Sequence, residues 1–165
     1  MSGKAKVKTN AVRILDSHKI EHEVYTYDTK DGVIDGQGVA AKLNQNPNQV
    51  FKTLVTQGKS KEYYVFVVPV AGELDFKKAE KATGEKKIEM IPMKDLLKVS
   101  GYIHGGCSCI GMKKQFKTYI DKSALDFDSF MFSGGKIGVQ IKMKAEALKD
   151  IIPVEFVDLK KNYNE

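Results

Sequence analysis

Two bulky apolar runs, residues 50–55 and 63–70, stand either side of the polar break Gln57-Gly58-Lys59-Ser60. Strand-forming runs divided by a short glycine-bearing break are the pattern of an antiparallel hairpin. A second such pattern follows late in the chain. Residues 130–132 run into Ser133-Gly134-Gly135-Lys136, after which Val139, Ile141 and Met143 alternate with Gln140 and Lys142. Two hairpins favour a curved, mixed sheet over a doubly wound βαβ arrangement. Short helices are predicted around them. Thr9 or Asn10 caps one that carries Ala11, Ile14, Leu15 and His18, ahead of a strand over 21–27. Val39, Ala40 and Leu43 mark a second, stopped by Asn44 and Asn46-Pro47. Asp75 caps a third that ends at Gly84, and Pro92 opens a fourth that ends at Gly101. Further strands are predicted over 116–120 and 154–159, with a last helix over 145–151. The fold class expected is α+β: a mixed, largely antiparallel β-barrel or curved sheet surrounded by short helices. No repeat or Pro/Gly/Ser-rich linker divides the chain, so residues 1–165 are expected to form one domain, led by a mobile basic arm at 1–8.

Charge narrows the choice of partner. The chain has 27 Lys and Arg against 21 Asp and Glu, for a net +6, and Arg13 is its sole arginine. A lysine excess attracts polyanions, yet arginine is the usual residue for bidentate reading of bases. A nucleic-acid partner would therefore be held mainly through its phosphates. No apolar run approaches the roughly 18 residues of a membrane span, and the basic N-terminus lacks the apolar stretch of a signal peptide. Both cysteines, Cys107 and Cys109, fall in one glycine-rich segment, unlike a secreted disulfide framework. A cytoplasmic protein with reduced thiols and no membrane partner is expected.

Three segments could supply chemistry. Lys52 is the single charge in an apolar run, and by pattern alone it either guards a sheet edge, the reading ranked first, or points into a cleft where its ammonium holds a phosphate or a developing oxyanion. The loop Gly105-Gly106-Cys107-Ser108-Cys109-Ile110-Gly111 could bring backbone N–H groups close to a phosphate or oxyanion, but it lacks nucleotide-loop spacings and also reads as a tight connection. His104, Cys107 and Cys109 lie close together in sequence, yet tetrahedral zinc takes four ligands and no second Cys/His cluster exists. Neither thiol has an identifiable base beside it. Ser133 could face the same cleft from its glycine turn, and the G-x-S-x-G elbow of a nucleophilic serine is absent.

Taken in order, Phe51-Lys52-Thr53-Leu54, then Pro69-Val70-Ala71-Gly72-Glu73-Leu74-Asp75 leading into a lysine-rich helix, then Gly101-Tyr102 with Gly105 to Gly111, then Ser133-Gly134-Gly135-Lys136, resemble the YbaK/EbsC family of tRNA deacylases. The likeness runs from about Thr9 to Leu159. It implies a mixed β-barrel ringed by helices, with no cofactor and no metal, that hydrolyses misacylated tRNA in trans. Cys-tRNA(Pro) is the expected substrate; Ala-tRNA(Pro) hydrolysis, or a non-catalytic module binding tRNA or a synthetase, are the alternatives. Aminoacyl-tRNA, tRNA(Pro) in particular, is the expected partner, with prolyl-tRNA synthetase as a second.

On this resemblance Lys52 matches the family's essential lysine, followed by Thr53. Tyr27 matches its tyrosine, Gly105 and Gly106 its substrate-backbone loop, and Ser133, Gly134 and Gly135 its pocket wall. Lys52 is expected at the ester or terminal phosphate, the backbone near Gly105 and Gly106 at the oxyanion, and Ser133 and Tyr27 in positioning. The resemblance further implies that the substrate's own cysteine thiol attacks its ester and leaves as a cyclic thiolactone. Two positions depart from the family pattern: Cys109 stands where it has proline, and Gln140 where it often has an acidic residue.

Overall fold

The computed structural model describes residues 3–162. In chain order the elements are β1 (Gly3–Lys4), α1 (Asn10–Ser17), β2 (His22–Thr26), α2 (Gly36–Lys42), β3 (Phe51–Gly58), β4 (Tyr63–Pro69), α3 (Phe76–Thr83), β5 (Ile88–Met90), α4 (Leu96–Ser100), β6 (Lys117–Asp121), β7 (Phe130–Ser133), β8 (Val139–Met143) and β9 (Val154–Val157). Single 3-10 turns cover Met93–Asp95, Lys122–Asp126 and Ala145–Asp150.

The strands form two sheets, in the orders β1-β2-β8-β7 and β5-β3-β4-β6-β9. The first is antiparallel throughout. The second is antiparallel from β5 to β4 and parallel from β4 through β6 to β9. A parallel bridge between Val50 and Met131 joins the sheets, with the Met131 N–H donating to the Gln49 carbonyl at 2.9 Å. Mixed α+β architecture is thus present. Among the described residues the ladders run as two sheets, and no closed barrel is found.

Sequence patterning explains where each sheet is covered. In β4, Val65 and Val67 enter the main core, whereas Tyr64, Phe66 and Val68 enter a second cluster with Leu74, Ala79 and Leu159. Both faces are buried, so the strand reads as one apolar run without alternation. In the main core Phe51 meets Phe130 edge-on at 5.2 Å between ring centroids. The helices are too short to persist alone in water and hold through packing and caps. The Thr9 hydroxyl accepts the Val12 N–H at 3.1 Å and donates to the Gly134 carbonyl at 2.6 Å, tying the start of α1 to the β7–β8 turn. At α3, Asp75 accepts the Lys77 and Lys78 N–H groups, and Gly84 ends the helix at φ 77°.

Several expectations need correction. The mobile arm is not free along its length: Gly3 and Lys4 pair with Thr26 and Tyr25, and the Ala5 N–H donates to Val24. Met1 and Ser2 lie outside the described residues. The segment expected as a last helix is the 3-10 turn Ala145–Asp150, and β5 was not foreseen.

Asp121 fastens the chain's end. Its buried carboxylate accepts N–H groups from Leu159 at 2.8 Å and Lys160 at 3.2 Å, besides the Ser123 hydroxyl and N–H. Asp121→Ala is expected to lower stability by about 2–3 kcal/mol, since buried donors lose a charged acceptor. A lower urea midpoint at unchanged slope checks this.

Candidate active site

A cavity of about 610 Å³ opens along β3, and it draws its walls from both sheets. Lys52 and Thr53 come from β3, Ser133 from β7 and Gln140 from β8, while Tyr27 follows directly on β2. Ser133 and Gln140 are register partners across β7 and β8. Further walls come from residues 34–37 at the start of α2, from Met90, Ile91, Met93 and Leu96, and from His104, Gly105 and Cys107.

At Lys52 the strand pairs with Val68 of β4, while β5 pairs only with Thr56 to Gly58 and does not reach it. Lys52 lines the cavity and is partly buried. Among the described residues it has no carboxylate within ion-pair distance. An ammonium without a partner on a cavity wall is available to an anion or a developing oxyanion.

Among the described residues, three buried side-chain atoms lack any hydrogen-bond partner: Tyr27 Oη, Thr53 Oγ1 and Gln140 Oε1. All three residues line this cavity. A polar atom buried without a partner costs about 1–3 kcal/mol, so such atoms seldom gather without a reason. The atoms themselves are covered, so they sit behind the cavity surface that their residues help to form. Ser133 Oγ accepts the Gly135 N–H at 3.2 Å, which leaves its own proton to donate.

The other expected site glycines do not line the cavity. Gly106 holds the loop against the β7–β8 turn, where a Cβ would meet the Ile137 nitrogen at 2.9 Å. Its N–H donates to the Ile103 carbonyl at 3.0 Å, so it is spent in a turn and does not serve an oxyanion. That corrects the expected oxyanion role of the Gly106 backbone. Gly134 packs on Val139, and Gly135, at φ 94°, packs on the Tyr102 ring.

The cysteines are poor nucleophiles. Burial pushes the Cys107 thiol up to about 11, with the Ser100 hydroxyl offsetting part of the rise, and burial pushes Cys109 up to about 12. Both stay protonated at neutral pH, and the thiolate is the reactive form. Among the described residues no three His, Cys, Asp or Glu side chains come together to hold a metal ion.

Sequence patterns gave no sign of Lys42. From the end of α2 its ammonium donates to the Asp28 carbonyl, to Asp31 Oδ1 at 2.7 Å and to the Val33 carbonyl at 2.9 Å. It also lies over the Tyr27 ring, 5.8 Å from the centroid. One side chain thus straps the 28–33 loop and steadies Tyr27. Lys42→Met keeps the stem and removes the strap, and kcat/KM for ester hydrolysis is expected to fall about tenfold or more through misplaced walls. Steady-state kinetics check this, beside an unfolding midpoint close to wild type.

Residues 34–151 match the model of the aminoacyl-tRNA editing domain. The chain belongs to this family. It is also 40% identical over 156 residues to an Enterococcus faecalis protein, EbsC, named as a candidate Cys-tRNA(Pro)/Cys-tRNA(Cys) deacylase, with 94% of this chain and 95% of that protein covered. Among solved structures, a candidate trans-editing enzyme for prolyl tRNA synthetase superposes with a TM-score of 0.80 at 20% identity, covering 95% of this chain and all of that one. A hypothetical protein superposes with a TM-score of 0.81 at 14% identity, over 93% of this chain and all of that one. At such identities these two likenesses establish the fold alone.

Proposed function

We propose that this editing-domain protein hydrolyses the aminoacyl ester of misacylated tRNA in trans, with Cys-tRNA(Pro) as its preferred substrate. The observation that supports this most directly is the cavity itself: an ammonium without an ion-pair partner among the described residues, on a wall shared with residues that carry buried polar atoms, and with Cys107 and Cys109 held as protonated thiols by burial. Such a site is equipped to position and polarise an ester whose nucleophile arrives with the substrate.

In this mechanism the substrate's thiol sulfur, as thiolate, attacks its own ester carbonyl. Lys52 stabilises the charge that develops on the carbonyl oxygen. The bond to the ribose oxygen breaks, that oxygen takes a proton, and cysteine leaves as a four-membered thiolactone that water opens. The enzyme's part is to hold thiol and carbonyl in line, because an intramolecular attack gains greatly from correct geometry. Tyr27, Thr53 and Ser133 orient the ester through their hydroxyls, and Gly105 closes the wall beside them. Gln140 Oε1 accepts from the substrate's α-ammonium, a neutral contact where an acidic residue would add charge.

No helix among the described residues is long and apolar enough to cross a membrane. We place the protein in the cytoplasm with its substrate, tRNA(Pro), and with prolyl-tRNA synthetase as a partner. A panel of aminoacyl-tRNAs tests the reading, each followed for loss of its ester. Fast loss of cysteine is expected; fast loss of alanine instead assigns the Ala-tRNA(Pro) alternative, and loss of none reduces the protein to a binding module.

A further inference from the structure

Six large apolar side chains stand well exposed among the described residues: Val33, Met90, Met93, Leu97, Ile103 and Leu125. Two of them border the cavity directly, and three more are chain neighbours of its lining. Met90 and Met93 line the cavity, and Val33, Leu97 and Ile103 each adjoin a lining residue in sequence, namely Ile34, Leu96 and His104. Met93 and Leu97 are 66% and 54% exposed, so packing within the fold does not account for them. Exposed apolar residues scattered singly need no explanation, but a group at a site's mouth marks a contact surface.

Charge says what kind of contact. Residues 86–114 hold six exposed lysines against Glu89 and Asp95, an excess of four in a chain whose net charge is +6. Glu89 pairs with Lys87 at 2.7 Å and Asp95 with Lys98 at 3.8 Å. Lys86, Lys94, Lys113 and Lys114 have no ion-pair partner among the described residues. Lys113 packs its stem beside Gly101, the residue that ends α4. Apolar area interleaved with unpaired cations suits an unpaired nucleic-acid strand, whose bases present apolar faces and whose backbone is anionic.

We infer that Met90, Met93 and Leu97, with Lys94 and Lys113, form the seat for the unpaired 3′ end of the tRNA, its last bases on the apolar strip and its phosphates on the lysines. This rests on the aminoacyl-ester reading of the cavity, since an ester held inside leaves its nucleotide at the mouth. Methionine and leucine adapt to any base face, so the seat tolerates sequence and leaves the choice of tRNA to contacts elsewhere.

The test uses an unacylated RNA hairpin with a single-stranded 3′ overhang whose last base is 2-aminopurine. Wild-type protein should change the fluorescence saturably, with affinity that falls as salt rises. A Met93→Ser, Leu97→Ser variant should bind about tenfold more weakly and lose most of the signal, while binding a blunt hairpin as wild type does. A wild-type signal without ester loss on any aminoacyl-tRNA sinks the deacylase reading alone. Absence of a wild-type signal, or an unchanged signal and affinity in the double serine variant, overturns the inference. So does binding of anionic phosphatidylserine vesicles in place of the hairpin, which would assign the strip to a membrane surface.

Discussion

Lys52→Ala should leave a folded protein that removes cysteine from tRNA about a thousandfold more slowly in single-turnover assays. The size of the loss follows from taking away a charge aimed at a developing oxyanion in a shielded site. The survival of the fold follows from the absence, among the described residues, of any carboxylate paired with Lys52, because the truncation orphans no buried charge. Lys52→Arg should recover little, since a planar guanidinium does not fit the place of a compact ammonium. Urea unfolding at the wild-type midpoint, beside the lost rate, is the joint result expected. A variant that deacylates at wild-type rate removes Lys52 from the mechanism.

Seryl-tRNA should be spared by at least about a hundredfold relative to cysteinyl-tRNA, because a hydroxyl is a far weaker nucleophile than a thiol that ionises near neutrality. A Cys107→Ala, Cys109→Ala variant should keep most activity on cysteinyl-tRNA. Alanine is the better probe here, as both thiols are buried and a serine hydroxyl would need a hydrogen-bond partner there. The pH profile separates the two sources of sulfur. A cysteine thiol in the substrate is protonated at pH 6 and ionises around 8.5, so the rate should climb with pH and level off near that value. An attack by Cys107, whose thiol is pushed up to about 11, would still be climbing at pH 10. A dead but folded alanine pair, or a profile without a plateau, refutes attack by the substrate's thiol.

Local signals were legible wherever the chain's own neighbours decide the structure. The β3–β4 and β7–β8 hairpins and the Asp75 and Gly84 ends of α3 all lie in residues close in sequence. What escaped depends on distant partners. β5 is three residues long and exists because Thr56, Gln57 and Gly58 pair with it. β1 is shorter still and leans on β2. The parallel joins of β4, β6 and β9 link segments far apart, for which no turn signal exists. At the site, apolar patterning placed Lys52 on a strand but ranked it as an edge residue, and the resemblance, not the pattern, pointed to the cavity. Lys42 was hidden among lysines, since its role comes from carbonyls and a carboxylate supplied by a loop that has no regular structure.

The seam between the two sheets divides labour in a way that bears on how such a protein changes over time. Lys52, the cation proposed to act on the ester, stands on one sheet, whereas Ser133, Gln140 and the neighbouring Tyr27 belong to the other, and among the described residues a backbone bridge at Val50 and Met131 links their ladders. Changes at Ser133 or Gln140 would therefore alter walls supplied by one sheet while Lys52 stays on the other, whereas a change at Phe130, which packs on Phe51 beside Lys52, would reach both at once.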